Sequence, residues 1–185
     1  FFRSQVAAEC VGYINKEVFP KLNSIKTFHI TLFGSNVDNQ TIQELAKSFS
    51  EIFAEIEDFS CNLGLTKVTE KVIIDFFDEM PKLRHFEFNV GNCKFADDGM
   101  KAFIEKTLRS MTSLESFAFK IEATNMMGAQ IMDLLKNLPL TIKKLYLDLR
   151  FTRATKEVLK FFIHEKLRDL ISLEEAELKV ESTLV

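Results

Sequence analysis

One pattern constrains this chain more than any other property. A segment with apolar residues at positions 1, 4, 6 and 8 occurs six times, at intervals of 27 to 31 residues. The clearest copy is Leu83–Phe95, LRHFEFNVGNCKF, in which Leu83, Phe86, Phe88 and Val90 fill those positions. The other copies start at Ile25, Ile56, Leu114, Ile142 and Leu173. Position 4 then holds Phe28, Phe59, Phe86, Phe117, Leu145 and Ala176. Position 11 is small in every copy: Ser35, Thr66, Cys93, Thr124, Thr152 and Thr183. Units of this length cannot bury an apolar face alone, so the pattern demands that each stack on its neighbours.

Alternation at positions 4, 6 and 8 has period two and predicts a strand with one buried face. Between strands the period becomes helical. Ile42, Leu45, Phe49, Ile52 and Phe53 mark a helix, with Thr41 and Glu44 as its capping box. Val72, Ile73, Phe76 and Phe77 predict a shorter one, and Met100, Phe103, Ile104, Leu108 and Met111 a third. Ile131, Leu134, Leu135 and Leu138 give the fourth, capped by Asn125, and Val158 to Leu170 the fifth. Residues 4–19 read as one more helix ahead of the first strand. Pro20, Pro81 and Pro139 all fall between a helix and the next strand, where a missing amide is tolerated. Strands joined by helical crossovers must run parallel. The expectation is a single α/β solenoid domain over residues 1–185, with a parallel sheet on one side and helices on the other.

Aligned in this way, Ile25 to Val185 resembles leucine-rich repeats of the ribonuclease-inhibitor-like type, written LxxLxLxLxx(N/C/T)x(I/L). The resemblance implies a horseshoe of about six repeats, with strands on the concave side and helices on the convex side. Two features depart from the family pattern. Ser, Thr or Cys stands where the family carries an Asn ladder, and Phe replaces Leu at many core positions, consistent with 19 Phe and no Trp. The opening on a helix and the close on a strand, without polar caps, lead to the expectation of a piece of a longer array.

A net charge of −3 with basic and acidic residues intermixed offers no field for a phosphate backbone, so nucleic acid is not expected as a partner. No apolar run reaches the roughly 18 residues that span a bilayer, so membrane insertion is not expected either. Three cysteines without a CxxC pair suggest buried thiols in an intracellular, cytoplasmic protein.

The family binds partners through residues between the core positions of the strands. Here these are Thr27, Asp58, His85, Ser116, Lys144 and Glu175 at position 3, and His29, Ser60, Glu87, Ala118, Tyr146 and Glu177 at position 5. Position 7 holds Thr31, Asn62, Asn89, Lys120, Asp148 and Lys179. His29, Asn62, His85, Glu87, Asn89, Lys120, Tyr146 and Asp148 are the candidate partner-binding residues. Charge reversal at Glu87, Lys120 or Asp148 is expected to weaken a partner while leaving stability largely intact. His29, Asp58 and Ser60 suggest a triad, but two share one flat strand and no strained turn or oxyanion donor accompanies them. His29 and His85 stand two strands apart, about 9–10 Å, too far to share a zinc ion. No catalytic residue, metal or cofactor is therefore expected. Phe33 and Phe151, at positions 9 and 10, are partner anchors if exposed and core if folded inward. The functional expectation is a protein-interaction or scaffold module within a larger assembly. Activation of a small GTPase, which some proteins of the family perform, is the alternative, and a ubiquitin-ligase substrate receptor would need an adaptor-binding segment.

Overall fold

The structure, a computed structural model, describes residues 6–18, 21, 25–49, 53–95 and 97–181. Ile52, Pro20 and Thr183 lie outside these residues. Six strands form one sheet in chain order: β1 Thr27–Thr31, β2 Asp58–Asn62, β3 His85–Asn89, β4 Ser116–Lys120, β5 Lys144–Asp148 and β6 Glu175–Lys179. Every neighbouring pair is parallel. The register sets position 3 against position 3 through position 7 against position 7 in all five pairs, for example Phe59 against Phe86 and Glu87 against Ala118. The columns read from the sequence are thus rows of neighbouring side chains in space.

Helices alternate with the strands. They are α1 Val6–Tyr13, α2 Asn39–Phe49, α3 Lys71–Phe76, α4 Asp97–Ala102, α5 Gly128–Asn137 and α6 Lys156–Phe161. Helix α4 runs on through a wider π-type segment, Phe103–Thr107, and α6 through a matching one, Phe162–Lys166. Two expected caps move. Helix α2 is capped by Asp38, whose carboxylate accepts the Thr41 amide at 3.0 Å and the Thr41 hydroxyl at 3.1 Å. Thr41 is therefore the third helical residue, and Asp38 gains the favourable place beside the positive helix end. Helix α5 starts at Gly128 with no side-chain cap at Met127, and Asn125 stays exposed.

The core lies between sheet and helices and is aromatic. The position-4 rings stack along the sheet, with Phe59–Phe86 centroids 5.7 Å apart and Phe86–Phe117 5.4 Å apart, at interplanar angles of 14° and 13°. Phe76, Phe77 and Phe103 meet this row from the helices. Rings at strand spacing stack offset face to face, which is favourable for π systems. Phe at position 4 thus supplies contacts along the sheet that Leu would not.

Each strand ends in the same turn. Position 10 has positive φ in all five described copies: Gly34, Leu65, Asn92, Ala123 and Phe151. Next to it, the position-11 hydroxyl folds back to the position-8 carbonyl. Thr66 Oγ1 donates to Leu63 at 2.6 Å, Thr124 to Ile121 at 2.8 Å and Thr152 to Leu149 at 2.6 Å. Cys93 Sγ instead donates to the Leu63 carbonyl of the preceding copy at 3.2 Å. Burial pushes its thiol up, and Cys61, wholly buried at position 6, is pushed up further. Both behave as small core residues. Among the described residues no helix is long and apolar enough to cross a membrane.

Candidate functional site: the strand face

Positions 3, 5 and 7 project from the side of the sheet opposite the helices, and the structure divides them by role. Position 7 contains turn formers. Asn62 Oδ1 accepts the Gly64 amide at 3.2 Å, Asn89 Oδ1 the Gly91 amide at 2.8 Å, and Asp148 Oδ1 the Arg150 amide at 3.3 Å. These are Asx turns, the local bond that Asn and Asp make two residues ahead. Asn89 and Asp148 are buried, Asp148 to 2 % exposure. Arg150 also grips Asp148 through two nitrogens, Nε at 2.8 Å and Nη2 at 2.6 Å. Burial pushes the Asp148 carboxyl up, but the Arg150 contacts outweigh it and hold the group below its usual range. Asn89 and Asp148 therefore present little to a partner, and Asn62 is half-buried.

The other candidates stay on the surface, and His29, Glu87, Lys120 and Tyr146 make contacts across strands. His29 Nε2 lies 3.0 Å from Asp58 Oδ1. Ser60 Oγ, the third residue of the triad considered above, donates to Glu87 at 3.4 Å rather than completing a relay. Glu87 also accepts Lys120 Nζ at 2.5 Å. Lys120 and Lys179 flank the Tyr146 ring, their ammonium nitrogens 5.3 and 5.1 Å from its centroid. These are cation–π distances. The Tyr146 hydroxyl and the Glu177 carboxylate hold the Lys179 ammonium above its ordinary range.

Between these pairs the face is indented. A depression of about 240 Å³ is bounded by His29, Asp58, Ser60, His85 and Glu87, and one of about 180 Å³ by Lys144, Tyr146, Glu175 and Glu177. They meet at Ser116 and Ala118, short side chains that line both. The result is a trough across the middle strands, walled by Glu87 on one side and Tyr146 on the other. Among the described residues no cluster of three His, Cys, Asp or Glu side chains could hold a metal ion.

Phe33 and Phe151 point outward, 49 % and 52 % exposed. The Phe33 ring lies against Gly64, where an added Cβ would stand 3.0 Å from Cδ2. Phe33 and Leu65 stand beyond the ends of the neighbouring strands β1 and β2, and Phe151 beyond the end of β5.

Sequence reasoning missed one column. Position 2, just before each strand, reads Lys26, Glu57, Arg84, Glu115, Lys143 and Glu174, strictly alternating in sign. The structure joins three neighbouring pairs of it as ion pairs. Lys26 meets Glu57 at 2.6 Å, and Glu115 takes Arg84 at 2.6 Å on one side and Lys143 at 3.0 Å on the other. Hydrogen bonds from Lys143 and Arg84 hold the Glu115 carboxyl below its usual range, and Lys26 does the same for Glu57. The signal for it is the strict alternation of sign itself, carried by a polar column beside the apolar ones.

A six-stranded parallel sheet with helical crossovers and one turn per copy places the chain in the class of leucine-rich-repeat-like α/β solenoids. No family model matches the chain, and no curated protein matches it. Among solved structures it is similar to one titled Leiomodin-1 Actin-Binding Site 2 (ABS2). That match has a TM-score of 0.59 and covers 89 % of this chain and 87 % of that one, at 12 % identity. The likeness is one of fold.

Proposed function

We propose that the chain is a non-catalytic protein-binding module of the ribonuclease-inhibitor-like type, six repeats bent into a horseshoe, serving as a subunit of a larger assembly. The strand face is its concave side and receives a segment of the partner. The observation that carries this reading is the trough over Ser116 and Ala118, already formed and walled by Glu87 and Tyr146, both of which Lys120 contacts. A preformed depression with charged, satisfied walls recognises polar protein surface with little rearrangement on binding. The fold neighbour named above is titled as an actin-binding site, so this frame serves protein recognition in that protein. Activation of a small GTPase rests on fold analogy alone.

The test places a photocrosslinker at position 116 and identifies the protein it captures, with Ala118→Arg added to the same crosslinker-bearing protein as the control. Loss of that capture in the arginine variant, with an unchanged melting temperature, supports the reading. Equal capture by both proteins would place the partner elsewhere.

A further inference from the structure

We propose that the groove between helices α4 and α5, on the helical side of the molecule, binds a guanidinium group, carried by a small guanidine or by an arginine side chain. The groove lies away from the strand face and stands or falls apart from the trough over Ser116 and Ala118.

The groove is a cavity of about 350 Å³, larger than either depression on the strand face and within the range of small-ligand sites. Met100 and Ile104, both buried, give it an apolar floor. From α4, its π-type continuation and the turn after it come Lys101, Glu105 and Arg109; from α5 come Gln130, Asp133 and Asn137. One end is closed. Arg109 Nε donates to Asn137 Oδ1 at 3.4 Å, and Asn137 Nδ2 donates to the Asp133 carbonyl at 2.8 Å.

That closure fixes which residues face each other. Arg109 and Asn137 are 28 residues apart, one repeat, and touch. Four residues back on each side stand Glu105 and Asp133, at the same separation and lining the same cavity. Two carboxylates therefore confront each other across the groove. Elsewhere neighbouring repeats set opposite charges at such places. Lys106, next to Glu105, meets Asp78 of the preceding repeat at 3.4 Å, and Lys82 meets Glu55 at 2.7 Å. Among the described residues neither Glu105 nor Asp133 has an ion pair. Asp98 adds a third carboxylate to the lining, against Lys101 and an Arg109 that is already bonded. Facing like charges repel, and a bound cation removes the repulsion.

A separate observation selects a cation that donates hydrogen bonds. Gln130 stands one turn before Asp133 and lines the groove, yet its Oε1 is buried with no hydrogen-bond partner among the described residues. A buried acceptor left unmet is costly, and an N–H on the ligand would meet it. Among the described residues no cluster of three His, Cys, Asp or Glu could hold a metal ion, so the fitting cation is organic. A guanidinium presents five N–H groups along diverging edges of one plane, which suits two opposed carboxylates and a carbonyl oxygen. An alkyl stem attached to it would lie on Met100 and Ile104. Lys101, one turn before Glu105 and without an ion pair of its own, is the resident competitor for the same carboxylates.

NMR titration of the purified chain tests this, with n-propylguanidine, the peptide acetyl-Gly-Arg-Gly-amide and n-butylamine as probes. The two guanidines are expected to bind saturably and to shift the Gln130 side-chain amide, with n-butylamine binding more weakly. Glu105→Gln, Asp133→Asn and Gln130→Met should each weaken binding about ten-fold, whereas Lys101→Gln should tighten it about three-fold. Circular dichroism melting confirms that each variant is folded. Peptide binding tighter than that of n-propylguanidine assigns the groove to an arginine of a partner protein; equal or weaker peptide binding assigns it to a small guanidine. Absence of saturable binding by both guanidines would overturn the proposal. So would n-butylamine binding as tightly as n-propylguanidine, or binding that Glu105→Gln and Asp133→Asn leave unchanged.

Discussion

The Asn89 side chain folds back on its own strand end, its Oδ1 accepting the Gly91 amide at 2.8 Å inside a buried turn. Asp148 repeats the arrangement with Arg150. Position 7 therefore holds two kinds of residue in one column: Asn and Asp that shape the turn, and Lys120 and Lys179 that reach over Tyr146. A column is a statement about place, and place alone does not separate a residue that binds from one that builds.

The expectation that Asp148 reversal would spare stability is corrected by this geometry. Asp148→Lys removes the Asx bond and sets a cation against Arg150 at a site with almost no access to water. Leaving buried groups unpaired costs about 2–4 kcal/mol. Urea unfolding should show that loss for Asp148→Lys, whereas Glu87→Lys, half-exposed on the face, should stay within about 1 kcal/mol of the parent. Similar losses for both would mean that Asp148 has no special structural part.

Asp148 also sets an acid limit. Its carboxyl is depressed in the folded chain, so its stabilisation is present above the ordinary carboxylate range, near about 3.9, and is lost as pH falls through the lower folded value. Melting temperature should therefore drop below about pH 4. Asp148→Asn keeps an acceptor for the Arg150 amide but cannot titrate, so its melting temperature should change less over the same interval. Parallel pH profiles for the two proteins would remove Asp148 from the account.

The architecture was legible because each column repeats a physical demand. Phe59, Phe86 and Phe117 must face the same core, so period and register followed from spacing, and the observed pairing matches those columns strand by strand. The hydroxyl row at position 11 was legible for a similar reason. What was not legible were contacts fixed by neighbours in space. Asp38 displaced Thr41 as cap because the helix begins three residues earlier than its apolar pattern. The trough exists because Ser116 and Ala118 happen to be short between Glu87 and Tyr146, and shortness in a variable column carries no signal of its own. The alternating ladder at position 2 was readable and needed only the question of sign.

The position-11 row allows a paired comparison. Thr152 Oγ1 donates to the Leu149 carbonyl at 2.6 Å, whereas the Ser35 hydroxyl is buried with no hydrogen-bond partner among the described residues. Thr152→Val keeps the shape and removes the bond, which should cost about 1–2 kcal/mol. Ser35→Ala removes a hydroxyl that bonds nothing and should be neutral or slightly stabilising, within about 0.5 kcal/mol. Denaturant midpoints at matched slope decide it. Equal losses would show that Ser35 is bonded in solution.

The turn at position 10 gives the sharpest test of local strain. All five described copies place this residue in the left-handed region, yet only Gly34 is glycine; Leu65 has φ 59° and Phe151 φ 57°. An L-residue there pushes Cβ against the following carbonyl, at about 1–2 kcal/mol per residue, and glycine avoids this while losing more backbone entropy on folding. Both side chains are about half exposed, so removing them forfeits only part of their burial. Phe151→Gly and Leu65→Gly should each gain about 0.5–1 kcal/mol, and Leu65→Asn should gain less, since asparagine tolerates the region better than leucine. Phe151→Ile should lose stability, because branching at Cβ worsens the clash. Urea titrations of the four variants give the order directly. If the glycine variants instead lose more than about 1 kcal/mol, the Leu65 and Phe151 side chains pack more tightly than their exposure indicates, and their contacts outweigh the strain.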